Sequence, residues 1–222
     1  MLVVQNVYKT YPKSNKNQAD VRALIDINFQ IKKGEFISVL GHSGSGKTTL
    51  MNLIGGLDKP DSGIISYNNK NISNLSRAEL ATFRNKNVGF VFQSNYLEPQ
   101  FTVLKNVCIP LIIAGVDKPT REKMAKNLLE ELELTQERDR LVSKLSGGQM
   151  RRVCIARALI NNPDIILADE PIDSLDQELA DLVLRMLREI AHKGVTVLMV
   201  THNTEAAKKT DRILHLKKGC LE

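Results

Sequence analysis

Apolar positions along this chain follow two periods, and the switch between them outlines the elements. Ile25, Ile27, Phe29 and Ile31 alternate with polar residues, the period of a half-buried strand. Leu2 to Tyr8 reads as an earlier strand. Phe36-Ile37-Ser38-Val39-Leu40 reads as a strand buried on both faces. Shorter strand-like runs follow at Ile64–Tyr67, Val88–Phe92, Asp164–Ala168, Val195–Val200 and Ile213–Leu216. A helix-like run from Thr49 extends to about Leu57, Ser76-Arg77-Ala78-Glu79 has a capping-box pattern ahead of a short helix through Arg84, and from Arg121 helical spacing sets Met124, Ala125, Leu128, Leu129 and Leu132 on one face. Further helices are predicted over Met150–Leu159, around Leu179, Val183, Met186, Leu187 and Ile190, and over Thr204–Lys209. The polar stretch Lys13–Asp20 reads as a loop, and Asp58–Gly63 as a turn cluster.

Strands alternating with helices predict an α/β fold with a largely parallel sheet. Residues from about 94 to 160 break that rhythm. Gly115 and Pro119 interrupt an otherwise helical pattern, so this stretch reads as a helical subdomain inserted into an α/β core of about 1–93 and 161–222, the whole of 1–222 being one domain.

Composition narrows the class. The 222 residues contain no run near the roughly 18 apolar residues of a membrane span, and the amino terminus lacks a signal-peptide pattern. Cys108, Cys154 and Cys220 are odd in number and far apart, which fits a reducing compartment. Lys plus Arg total 31 and Asp plus Glu 25, a net +6, but the basic residues are scattered. Aromatics are few and form no stacking series, so no nucleic-acid partner is expected.

The chemistry begins at Gly41-His42-Ser43-Gly44-Ser45-Gly46-Lys47-Thr48, between the 36–40 strand and the helix opening at Thr49. Glycines let backbone N–H groups turn inward around phosphate oxygens, and a helix start directs positive potential at the same anion. Lys47 would reach the β- and γ-phosphates of a nucleoside triphosphate, and Thr48 would offer a hydroxyl to Mg²⁺. Asp169 and Glu170 end an apolar strand; Asp169 suits Mg²⁺, and Glu170 suits a general base acting on water. Leu145-Ser146-Gly147-Gly148-Gln149 precedes a helix. The Ser146 hydroxyl and the glycine N–H groups there form a second anion site or simply a helix cap. Two anion sites in one chain suggest a triphosphate gripped between two copies.

These motifs resemble the ATP-binding cassette (ABC) ATPases. The signature Leu145–Gln149, Tyr11, Gln93, the 165–170 strand, Ser174-Leu175-Asp176 and His202 fall in that family's order, and the resemblance covers essentially the whole chain. It implies a P-loop NTPase core with an N-terminal antiparallel β subdomain, and ATP with Mg²⁺ as cofactors. By the same resemblance Tyr11 stacks on adenine, Gln93 touches Mg²⁺ or the attacking water, and His202 contacts the γ-phosphate and orients that water. Lys47 and Glu170 complete the catalytic set, Thr49 joins the nucleotide-binding residues, and Asp176 sits at a dimer interface.

Leu50–Asp58, Val88–Ser94 and Ile109–Gly115 resemble the macrolide-exporter, lipoprotein-releasing and cell-division cassettes (the MacB, LolD and FtsE types). That implies a second copy in an ATP-sandwich dimer, an FtsX- or MacB-like permease, and a place at the cytoplasmic face of the cell membrane. A cell-division type would transmit force and transport nothing; soluble repair or translation ATPases and a non-hydrolysing module are the weaker rivals. The sequence departs from the pattern at Ile172, where threonine is usual, at Asp173, where a small residue is usual, at Asn95–Pro99, and at Ser143-Lys144.

Overall fold

The structure, a computed structural model, describes residues 1–12 and 20–222. The loop expected at Lys13–Asp20 therefore lies outside the described residues except for Asp20. Strands β1 (Leu2–Tyr11) and β2 (Val21–Ile31) open the chain, followed by β3 (Phe36–Leu40) and helix α1 (Lys47–Ile54). Next come β4 (Ser62–Tyr67), the two-residue β5 (Lys70–Asn71), α2 (Arg77–Asn87) and β6 (Val88–Val91). Helices α3 (Val103–Ile113), α4 (Lys118–Glu131) and α5 (Gly147–Leu159) precede β7 (Ile165–Asp169). The chain finishes with α6 (Gln177–His192), β8 (Thr196–Thr201), α7 (Thr204–Lys208), β9 (Arg212–Lys217) and β10 (Cys220–Leu221).

Two sheets form. One is antiparallel with order β2-β1-β4-β5; the other has order β10-β9-β3-β8-β7-β6, parallel throughout except for the β10 edge. Every β8 residue is buried, which explains why Thr196–Thr201 lacks the alternation of a half-exposed strand. Leu2, Val4 and Ile27 of the antiparallel sheet pack with α1 and with Ile37 and Val39 in one core. The opposite face of the parallel sheet, including Phe36, Ile166 and Met199, packs on α6 through Val183, Leu187 and Ile190. These α6 positions recur at i, i+4 and i+7, one stripe of a helix.

A third core lies among the helices: Val103, Val107 and Leu111 of α3 meet Ala125 and Leu129 of α4. Helix α5 belongs to two cores. Val153 and Ala156 face α3 and α4, whereas Ile155 and Ala158 face the sheet side. It therefore ties the helices to the strands.

The two expected breaks fall between α3 and α4: Gly115 has φ +77° just past the end of α3, and Pro119 sits in the first turn of α4, where a missing N–H costs nothing, whereas Pro110 is accommodated inside α3. The Ser76 capping box is present, with Ser76 Oγ accepting from Glu79 N and Glu79 accepting from Ser76 N. That helix extends to Asn87, three residues beyond Arg84, and the first helix starts at Lys47 rather than Thr49. Among the described residues no helix is long and apolar enough to cross a membrane.

Candidate functional site: a nucleotide cleft at the carboxyl ends of the strands

The phosphate loop joins the end of β3 to α1, beyond the carboxyl edge of the parallel sheet, where such sheets bind ligands. Gly46 caps α1 at φ +108°, and no side chain caps the helix, so its first N–H groups are left for an anion. A Cβ at Gly46 would come within 2.5 Å of Ala23 O, so glycine is required by space as well as by φ. The Lys47 ammonium curls back over the loop, donating to the carbonyls of Gly41 (2.8 Å) and His42 (3.1 Å). Among the described residues, Ser45 Oγ is buried without a hydrogen-bond partner. A buried hydroxyl of this kind is costly unless a ligand completes it. With the open helix start and Lys47, it fits a polyphosphate.

A cleft of about 670 Å³ brings the loop together with most of the other sequence-derived residues. Its wall includes Tyr11, His42–Gly44, Gly46–Thr49, Gln93, Asp169, Glu170 and His202. Asp169 ends β7, beside Val200 of β8 in the ladder, so His202 emerges close to the acids. Glu170 has φ +44°, a left-handed conformation that a non-glycine residue adopts at a cost of about 1–3 kcal/mol. Its N–H is tied to Val200 O at 2.9 Å.

Glu170 holds two partners. Oε1 lies 3.0 Å from His202 Nδ1 and 3.8 Å from Lys47 Nζ. Burial and the adjacent Glu170 carboxylate push the Asp169 carboxyl above its ordinary range, and Lys47 offsets part of that. Crowded carboxylates of this sort are relieved by a bound cation. The donors of the cleft, the Asp169 carboxylate, the Thr48 hydroxyl and the Gln93 amide oxygen, are hard oxygens that fit Mg²⁺.

Ser146–Gln149 stands outside this cleft wall. Ser146 caps α5 and is exposed; its Oγ accepts from Gln149 N, and Gln149 Oε1 accepts from Ser146 N. Gln149 Nε2 also donates to Glu137 Oε1 (2.8 Å), so the Gln149 side chain is engaged in shaping the loop. Asp176 caps α6, accepting from Leu179 N at 2.8 Å.

Four contributors had no role assigned from the sequence pattern. Asp58, in the turn after α1, accepts a hydrogen bond from the Tyr11 hydroxyl at 2.8 Å and is paired with Lys9. Val21 and Arg22 line the cleft from the start of β2. Asp173 accepts from Gln93 Nε2 at 2.8 Å. Each is brought in by a partner distant in sequence, so spacing alone gives no signal for it.

Comparisons with known proteins show the family. The ABC transporter family (ABC_tran) matches residues 24–173. The chain is 42% identical over 219 residues to the macrolide export ATP-binding/permease protein MacB of Bartonella henselae, covering 99% of this chain and 33% of that protein. It thus spans about a third of the length of this relative. It is 41% identical to the lipoprotein-releasing system ATP-binding protein LolD of Bacteroides thetaiotaomicron, covering 93% of this chain and 95% of that one. Among solved structures, a dimeric post-hydrolysis state of the ATP-binding cassette MJ0796, bound to ADP and Pi, has a TM-score of 0.89 and 40% identity, covering 100% of this chain and 97% of that one. The chain belongs to the ATP-binding domain family of ABC transporters and is an ABC ATPase.

Proposed function

We propose that the chain hydrolyses ATP as a head-to-tail pair of copies and drives a MacB- or FtsX-like permease from the cytoplasmic face of the membrane. The observation that carries the reading is a division of labour. One cleft collects Tyr11, the phosphate loop, Gln93, Asp169, Glu170 and His202, while the exposed Ser146 cap stands apart from it. A second copy would bring its Ser146–Gln149 segment to the open side of a bound nucleotide. The dimer of MJ0796 with ADP and Pi supports the pairing by likeness.

In this reading Tyr11 stacks on adenine, with Asp58 holding its hydroxyl. Lys47, Ser45 and the loop N–H groups bind the phosphates. Thr48, Asp169 and Gln93 would hold Mg²⁺, which when bound neutralises charge on the phosphate oxygens. Glu170 accepts a proton from water as the water oxygen bonds to the γ-phosphorus and the bridging oxygen leaves with ADP. His202 steadies Glu170 and the γ-phosphate. Loss of phosphate removes the contacts that span the two copies, and the pair opens.

The permease contact is proposed along a groove of about 500 Å³ that includes Leu57, Phe90, Phe92, Tyr96, Pro110 and Ile113. Tyr96 and Ile113 are each 71% exposed, an unusual state for large apolar side chains. The groove joins the strand that ends before Gln93 to α3, so movement of about residues 94–160, as a helical arm, would be felt by the partner.

Tagged Glu170→Gln, with ATP, tests the reading by co-purification from solubilised membranes. A permease with a large extracytoplasmic domain is the expected partner. A soluble protein or nucleic acid without any membrane subunit overturns the permease assignment.

A further inference from the structure

Gln93 is held at both ends, and the two clamps come from different parts of the chain. Arg151 of α5 is 3% exposed and donates from Nη1 to Phe92 O (2.6 Å) and from Nη2 to Gln93 O (3.0 Å). Charge-assisted bonds to two successive carbonyls fix the backbone there. The side chain reaches the other way, where Gln93 Nε2 donates to Asp173 Oδ2 at 2.8 Å. Asp173 is itself oriented: Ser174 Oγ lies 3.2 Å from the same oxygen, and Asp173 N donates to Glu170 O at 3.0 Å.

We propose that Asp173 is a positioning residue that selects which end of the Gln93 amide faces the nucleotide cleft. An ionised carboxylate only accepts hydrogen bonds, so the amide must offer it nitrogen. The carbonyl oxygen is thereby turned away from Asp173, free to serve as a ligand. The choice matters because Mg²⁺ takes oxygen, and an amide flipped end for end would present N–H to it. A residue with no side-chain acceptor at 173 would leave the two orientations close in energy. The resembled family usually has a small residue here, so the device belongs to this chain's own sequence. The inference deepens the proposed function, because it rests on Gln93 as a ligand to Mg²⁺.

The test measures ATP binding in a Glu170→Gln background, by displacement of a fluorescent nucleotide, once with Mg²⁺ and once with EDTA. The ratio of the two affinities isolates the metal's contribution from general damage to the fold. Asp173→Ala is expected to lower that ratio about tenfold, the low end of what residues orienting a ligand contribute, with the EDTA affinity unchanged. Asp173→Asn, whose amide can accept from the Gln93 nitrogen or donate to its oxygen, no longer forces one orientation and is expected to lose part of the ratio, less than Asp173→Ala. Equal losses in both media would assign Asp173 a structural role and overturn the inference. Loss in Gln93→Ala but not in Asp173→Ala would overturn it while leaving Gln93 as a ligand. No loss in Gln93→Ala would overturn the ligand assignment and the inference together.

Discussion

His202 Nδ1 lies 3.0 Å from Glu170 Oε1, and the His202 main-chain N–H donates to Glu170 Oε2 at 3.3 Å. The two residues are separated by 32 positions and meet because β7 and β8 are hydrogen-bonded neighbours, with Asp169 opposite Val200. Glu170 thus has its carboxylate steered from a neighbouring strand end, whereas its side chain is largely sheltered (14% exposed).

Removing either member should therefore have different consequences. Glu170→Gln keeps the shape but loses the proton acceptor, and should slow hydrolysis at least about a hundredfold while ATP still binds. His202→Ala leaves the base in place with its main-chain bond but removes the imidazole contact, and should lower turnover less. Single-turnover assays with parallel nucleotide-binding measurements separate the two. Wild-type turnover in Glu170→Gln would remove it as the base.

Asp169 should make the nucleotide-free protein pH-sensitive. Its folded pKa is raised, first by burial and then by Glu170. Below the unfolded pKa the carboxyl is neutral in both states and contributes nothing. As pH rises from the unfolded value towards the folded one, the unfolded state loses its proton first, so stability falls and stays lower at neutral pH. Asp169→Asn should remove this dependence and raise the neutral-pH melting temperature without nucleotide, while weakening binding of Mg·ATP. Thermal melts across pH 3–8 in EDTA check the sign; a lower melting temperature for the variant at pH 7 would contradict it.

Ser146 combines a helix cap with a proposed contact to the partner copy's nucleotide, and two substitutions separate these roles. Ser146→Ala removes the side-chain cap and should cost about 1 kcal/mol of stability. Ser146→Asp also caps helices well, so stability should be kept, but it sets a negative charge against a phosphate. In a Glu170→Gln background, light scattering with ATP should find a dimer for the parent and a monomer for Ser146→Asp. A stable dimer in that variant would place the contact elsewhere.

The cysteines should differ in reactivity. Burial pushes the Cys154 thiol up to about 11, and its Sγ lies 3.2 Å from Asn95 O. The thiolate is the nucleophile, and Cys154 is 2% exposed. Iodoacetamide at pH 8 should label the partly exposed Cys220 first and reach Cys154 only in denaturant. Peptide mass spectrometry reads both; rapid native labelling of Cys154 would indicate that α5 detaches from the 92–96 segment.

Several parts of the site are local and were therefore legible. Gly41–Thr48 is a continuous loop whose glycines, lysine and threonine act within eight residues. The caps at Ser76 and Ser146 close over three residues, so chain connectivity alone brings donor to acceptor. The phosphate loop's surroundings were less complete. The helix begins at Lys47 because the turn tightens around a left-handed Gly46, which apolar spacing does not report. The strands at Lys70–Asn71 and Cys220–Leu221 are two residues long, too short to carry a period.

By itself the sequence determined the types of most of the longer elements, the phosphate loop, the paired acids after a buried strand and the cap that opens α5. These rest on side-chain period and on groups adjacent along the backbone. Tertiary structure alone decided the order β10-β9-β3-β8-β7-β6, because periodicity says which face of a strand is buried and nothing about which strand lies beside it. The link Gln93–Asp173 follows from β6 lying beside β7, and Tyr11–Asp58 and Arg151–Phe92 from how β1 and α5 pack, across 80, 47 and 59 positions. At such separations a hydrogen bond depends on sheet register and helix packing, so these partners became visible only when the chain was folded.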